Sequence, residues 1–460
     1  MRAGIKCAVT LCIAIVMVLS LFAGCGTAAE KPAADTTKAA DEATAVQETA
    51  AQATATQETT AAAPAKIKVL TVNNWWFKGT DAFAEEAAKQ TGVSIELETL
   101  PDEQGVQVIK TRLATGDVPD ILVYYTGANM KQLDPEKQFM DLSNEPWKDN
   151  MVDAAKSVVT VNDKIYGSPN NCMPMGGVVY NKKIYASLGL SVPVTWQQFL
   201  DNCEKIKAAG IVPVAYTFKD NWTAQLIPLI GWYECQAKNP GAADLINTNK
   251  LKVADIPQYV GNLKKLYELK EKGYINKDYS AATFDNGQKM IANGEAAMYF
   301  MGSWIVDTLS ANYPDKVADL GGFGLPSDDG SATGVCTWAP QAFYIPLRAK
   351  NPDAAKKWIG FWSTPEGQKV FLSGTKPNGA PSFKNVDVSD TYDIVKDFKK
   401  YVDAGKAAIA LEFQIDISVS NDFPMICVSA ATGQKTPEQA AKAVDDVLAK
   451  NAKDMKLAGW

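Results

Sequence analysis

From Lys66 onward the apolar positions follow two alternating periods. IKVLTV (67–72) is a β-branched run of strand length, and DAFAEEAAKQTG, opening at Asp81, carries its apolar residues on one helical face until Gly92 stops it. VSIELETL alternates as a half-buried strand, QGVQVIKTRLATG has the helical period, and DILVYY (120–125) is apolar enough for a buried strand. Strand, helix, strand, helix, strand predicts an α/β layer with a mainly parallel sheet. Helix starts are marked farther on: Thr195 with Gln198 before FLDNCEKIKAAG, Asn351-Pro352 before DAAKKWIGFW, and Thr436, Pro437 and Gln439 before AAKAVDDVLAKNAKDM. AAMYFMGSW (296–304) reads as a strand delivering Ser303 and Trp304 to a loop, and GVCTWAP delivers Trp338 in the same way. No repeat of about 20 to 50 residues is present, which argues against a solenoid or propeller.

The first sixty-five residues have a different texture. Arg2 and Lys6 precede an almost unbroken apolar stretch from Cys7 to Gly24. Leu21-Phe22-Ala23-Gly24-Cys25 resembles the lipobox of bacterial lipoproteins, with Phe22 where such boxes usually carry leucine. The resemblance implies a lipoprotein signal peptide over 1–24 and acylation of Cys25, whose two chains would give a durable membrane anchor. Residues 26–65 are mostly alanine and threonine, with no aromatic residue, and cannot bury a core. They are expected to form a disordered tether, 25–65 with the lipidated cysteine.

Composition narrows the chemistry. A chain of 460 residues, 47% apolar, can fill one large or two medium cores. With 46 basic against 52 acidic residues and a net charge of -6, it lacks the basic footprint of a nucleic-acid partner. It contains no histidine, which excludes Ser-His-Asp and Cys-His nucleophiles and histidine-ligated zinc. No metal or cofactor is expected. Cys172, Cys203, Cys235, Cys336 and Cys427 have no zinc-like spacing and sit in core-like flanks, so they read as small buried hydrophobes.

Ligands of open α/β sheets bind beyond the carboxyl ends of strands. The residues there are Asn73, Asn74, Trp75 and Trp76, then Tyr124 and Tyr125, then Ser303 and Trp304, then Trp338, with Trp222 and Trp232 nearby in composition and position. Aromatic faces beside amides and hydroxyls suit a carbohydrate, whose C–H faces stack while its hydroxyls need directional partners. Trp147, Trp196, Trp358 and Trp362 lie in or beside helical patterns and are expected in the core.

Four stretches in order resemble the extracellular solute-binding proteins of family 1, the ligand-capturing lipoproteins of ATP-binding-cassette importers. They are TRLATGDVPDILVYY, KIYGSPNNCMPMGGVVYNKKIYASLGLSVPVTWQQF, FDNGQKMIANGEAAMYFMGSW and NPDAAKKWIGFWSTPEGQKVF. The resemblance implies a two-lobed periplasmic-binding-protein-like fold, each lobe a mainly parallel sheet flanked by helices, closing about a hinge. The chain would cross near Ser168 to Met173, Cys336 and Lys376 to Pro381, giving lobe 1 as 66–172 plus 337–378 and lobe 2 as 173–336 plus 379–460. Trp304 would then be the stacking tryptophan, Tyr124 the aromatic after the Pro-Asp strand, and Asn73 to Trp76 the first loop to reach the cleft. Asp120 and Pro119 are expected to shape the turn into their strand.

The expected function is capture of a carbohydrate, an oligosaccharide above all, and its delivery to membrane permease subunits by a monomeric, lipid-anchored receptor at the extracytoplasmic face of the cell membrane. Two alternatives stay open. One is another polar solute such as a peptide or polyol phosphate; Arg112 and Arg348 are the only arginines after the signal segment, which disfavours a strongly anionic ligand. The other is a surface glycoside hydrolase using two carboxylates about 5 to 9.5 Å apart, for which Asp285, Glu295, Glu234 and Asp328 are candidates.

Overall fold

The structure, a computed structural model, describes residues 65–419 and 422–460. These belong to the second of two units into which the chain divides, Met1–Thr60 and Ala61–Trp460. The signal peptide, Cys25 and all of the tether but its last residue lie outside the described residues.

Two sheets organise two cores. The first sheet runs, side by side, Val93–Leu100, Ala65–Val72, Ile121–Tyr124, Ala342–Tyr344 and Gly167–Pro169. Ala65–Val72 pairs parallel with Val93–Leu100 along its whole length and with Ile121–Tyr124, as the strand and helix alternation predicts. The helix Lys78–Thr91 between the first two strands stops at Gly92, whose φ of 70° favours glycine, with its N–H on the Ala88 carbonyl. Asp120 fixes the start of the third strand: its carboxylate accepts from the Lys68 N–H at 2.9 Å and the Asn351 N–H at 2.7 Å. The side-chain amide of Asn351 also turns to Asp120, at 3.2 Å, instead of capping its own helix.

Trp358 and Trp362, one turn apart on the helix Pro352–Trp362, stand parallel at 6.2 Å in this core. Phe83 meets both indoles edge-on at 4.9 Å, and Phe343 meets them at 5.2 and 5.1 Å. Aromatic pairs in this geometry contribute about 0.5 to 1.5 kcal/mol each beyond the area they bury. Trp147 is also buried here, and Trp196 in the other core, as their helical settings suggest.

The second sheet runs Ala407–Ile409, Val335–Thr337, Met173–Asn181, Ala296–Gly302 and Val212–Val214, with Leu320–Phe323 and Gly379–Ala380 also paired to the central strand. It is mixed: its outer pairs are parallel, whereas Met173–Asn181 is antiparallel to each strand it touches. The reason is the route of the chain. Met173–Asn181 leaves the first lobe and runs outward, while Ala296–Gly302 and Val335–Thr337 run back and end beside its beginning. The same effect makes Ala342–Tyr344 antiparallel in the first sheet, because it re-enters from the second lobe.

Tyr166 belongs to the first core and Met175 to the second, Trp338 to the second and Ala342 to the first, Phe383 to the first and Ile394 to the second. The chain therefore passes between the lobes three times in these intervals, and the architecture is a two-lobed α/β fold. Capping boxes start the helices Trp196–Ala208, Phe284–Asn293 and Pro437–Asp454. All five cysteines named above are buried and unpaired. No helix among the described residues is long and apolar enough to cross a membrane.

Candidate functional site

The second lobe carries a row of indoles where its strands end at the crossings. The strand Ala296–Gly302 stops at Gly302, Ser303 turns the chain, and Trp304 begins the helix Ile305–Asn312. Gly302 lets the Trp304 ring fold back over its own strand, since a Cβ there would lie 2.0 Å from Cζ3. Gly176 does the same for Trp338, with Cζ3 2.3 Å from its would-be Cβ. Gly176 and Gly302 are register partners on adjacent strands, so the two rings rest on one bare stretch of backbone. Trp304 and Trp338 meet edge-to-face at 5.2 Å and 82°, and Trp222 leans on Trp304 at 6.3 Å. Trp222 and Trp304 are half-buried, and Trp338 is 7% exposed.

A second cluster stands in the first lobe. Trp75 meets Tyr125 at 4.7 Å and Tyr124 at 6.4 Å, and the two tyrosines lie 5.5 Å apart. Tyr125 is half-buried, while Tyr124 is 1% exposed and burial pushes its hydroxyl pKa well up. The crossings hold both clusters. Asn170 donates its amide to the Trp75 carbonyl at 3.1 Å, Thr126 its hydroxyl to the Pro340 carbonyl at 3.0 Å, and the Trp338 N–H bonds the Pro174 carbonyl at 2.8 Å.

The other expected site residues lie apart from these clusters. Asn73 and Asn74 are exposed beside Trp75. Trp76 donates its indole N–H to Asp81 at 2.7 Å, at the start of the helix Lys78–Thr91. Ser303 is fully buried: its hydroxyl accepts the Met175 N–H at 2.9 Å and donates to the Asn378 carbonyl, tying the strand end to a crossing. Trp232 is 1% exposed inside the second core, and its buried indole nitrogen has no hydrogen-bond partner.

Two carboxyls that the sequence reading missed are Glu412, which bonds an indole of the row, and Asp307, one turn after Trp304 in the chain. Glu412 accepts the Trp338 indole N–H at 3.1 Å, and desolvation pushes its pKa up to about 7 despite that bond. Asp307, three residues after Trp304 and so on the same helical face, accepts the Asn378 amide at 2.8 Å; desolvation raises it to about 7 as well. The i, i+3 spacing from Trp304 was a usable signal for Asp307. Glu412, 74 residues from Trp338, gave none. In either protonation state a carboxyl keeps an acceptor oxygen for a hydroxyl.

The four acids considered for hydrolysis do not join this row. Glu234 and Asp328 share Lys265 at 3.3 and 3.6 Å on a separate polar cavity, and Asp285 and Glu295 are exposed. No group of three or more acidic or cysteine side chains among the described residues is arranged to hold a metal ion.

Comparisons with known proteins show the family and the fold. The family model described as bacterial extracellular solute-binding protein matches residues 75–369. An uncharacterized ABC transporter extracellular-binding protein of Pyrococcus horikoshii is 25% identical over 419 residues, 86% of this chain and 90% of that one. A maltooligosaccharide ABC transporter solute-binding lipoprotein of Streptococcus pneumoniae is 25% identical over 68% of this chain and 72% of its own. Among solved structures, a chitin oligosaccharide binding protein superposes with a TM-score of 0.71 at 24% identity, covering 84% of this chain and 99% of that one.

Proposed function

The chain belongs to the bacterial extracellular solute-binding proteins, and on that premise we propose that it captures an oligosaccharide between its lobes for an ATP-binding-cassette permease. The observation that carries the ligand class is the indole row Trp222, Trp304 and Trp338 on its glycine floor, paired with Trp75 and Tyr125 in the other lobe. Indole and phenol rings stack on sugar C–H faces, and Asp307 and Glu412 offer oxygen acceptors to hydroxyls. Each stack adds on the order of 1 kcal/mol. Micromolar affinity, about 8 kcal/mol, therefore needs several contacts at once, which lobe closure supplies. Tyr124 and Ser303 support the walls from behind. The acids at the site are protonatable and the row includes no arginine, which favours a neutral ligand over an anionic one.

The proposal extends to the anchor. Acylated Cys25 and the Ala/Thr tether hold a monomeric receptor outside the cytoplasmic membrane, in keeping with the lipoprotein relative. It binds without hydrolysing. A thermal-shift panel of maltotriose, raffinose, xylotriose and chitotriose tests this reading: a saccharide at one hundred times its dissociation constant stabilises by about 2.7 kcal/mol. The same incubations, analysed for shorter saccharides, are expected to contain none. Cleavage products would favour the hydrolase instead.

A further inference from the structure

The segment Leu411–Val419 touches both halves of the proposed site. It begins with the one-turn helix Leu411–Gln414, and Leu411, Ile415 and Ile417 anchor it in the second core. Glu412 turns toward the indole row and takes the Trp338 N–H. Phe413 turns toward the first lobe and lies against the backbone of Gly127, where a Cβ would be 2.7 Å from its ring. Asp416 pairs with Lys131, and Ser418 donates its hydroxyl to Asn129 at 3.1 Å. Gly127, Asn129 and Lys131 form the turn and short helix that follow Tyr124 and Tyr125, so these contacts, a clasp between the lobes, grip the element next to the first-lobe aromatic cluster.

The segment is held laterally: Asn247 bonds Asp416 through both its amide donor and its carbonyl oxygen, at 3.1 and 2.9 Å, and Asn451 donates to the Ser418 carbonyl at 2.6 Å. Beneath it, Leu411, Glu412, Ile415 and Val419 line an apolar cavity whose other wall includes Gln225, Pro228 and Trp232. The Lys131–Asp416 pair is about one-third exposed, and such a pair contributes too little to keep two lobes shut by itself. A ligand that fixes Trp338 would therefore decide whether the clasp persists.

We infer that Glu412 is a positioning residue, orienting Trp338 at one end of the Leu411–Val419 segment and coupling that orientation to the clasp on Gly127–Lys131 at the other. The inference rests on the proposed carbohydrate site, and its test uses no sugar, so the two can fail separately. The full chain is labelled with 5-fluorotryptophan, and the Trp338 ¹⁹F resonance is identified by its loss in W338F. Loosening the clasp from the far lobe with K131A, which removes one of its three contacts, shifts or broadens that resonance in the native background. In E412L the resonance is already displaced and K131A adds nothing. E412Q, which keeps an acceptor oxygen, behaves as the native protein does. A Trp338 resonance that ignores K131A, or that responds equally in E412L, overturns the coupling. If E412L fails to fold by circular dichroism, D416N replaces it: it must move the Trp338 resonance as K131A does, and silence overturns the proposal.

Discussion

The two aromatic walls are built differently. In the first lobe Trp75, Tyr124 and Tyr125 prop one another edge-to-face beyond the strand ends, with Asn170 holding the Trp75 carbonyl. In the second lobe Trp304 and Trp338 lie on backbone, with Gly176 and Gly302 clearing the space and Glu412 setting one ring's orientation. The first wall is made rigid by mutual packing and the second by surroundings contributed from across the sequence. A substitution next to the rings should therefore matter little in the first lobe and much in the second.

The largest effect is expected from the floor. Gly302→Val or Gly176→Val must evict an indole, because ring atoms stand 2.0 and 2.3 Å from the added Cβ. Overpacking of this kind costs about 1 to 3 kcal/mol in stability. Saccharide affinity by calorimetry should fall by about a hundredfold or more; retention of affinity would remove the floor from the site. Next comes Trp304→Ala, which should weaken binding at least about tenfold, or about 1.4 kcal/mol, with the fold intact by circular dichroism. Tyr125→Ala in the opposing wall should lose less, and an equal loss would erase the distinction between the walls.

The acids give a smaller, pH-dependent effect. Desolvation raises Asp307 and Glu412 to about 7 in the folded protein, above the ordinary carboxylate range that applies in the unfolded chain. Between those values the folded state holds more protons, so stability contributed by these groups falls as pH rises toward about 7 and levels off beyond it. E412Q and D307N should therefore gain melting temperature relative to the native protein between pH 5 and pH 8. A difference that does not vary with pH would contradict the raised values. The smallest effect belongs to Lys131→Met, whose ion pair is about one-third exposed and implies a stability change of about 1 kcal/mol or less by denaturant titration.

Much of the frame was readable because its causes are local. The strand Val93–Leu100, the stop at Gly92 and the capping boxes at Thr195 and Thr436 each depend on residues a few positions apart, and each is present. The position of Trp304 was readable for the same reason, two residues after the strand Ala296–Gly302. Strand direction in the second sheet was not, because it follows from the route between lobes, to which a hydrophobic period is blind. Asn351 was expected to cap its helix, yet Asp120, 231 residues away, takes its side chain. Ser303 and Trp232 carry the right chemistry for a sugar site but point into packing, a distinction set by tertiary contacts alone. Glu412 and the Gly176–Gly302 pair stayed hidden because their significance exists only once distant strands meet.

The most direct measurement is a crystal structure with whichever panel saccharide stabilises the protein most. A sugar ring stacked on Trp304 and Trp338, with Trp75 and Tyr125 closing from the opposite lobe and hydroxyls within hydrogen-bond distance of Asp307 or Glu412, is the expected result. A saccharide bound away from both walls, or a panel in which none raises the melting temperature, would contradict the account.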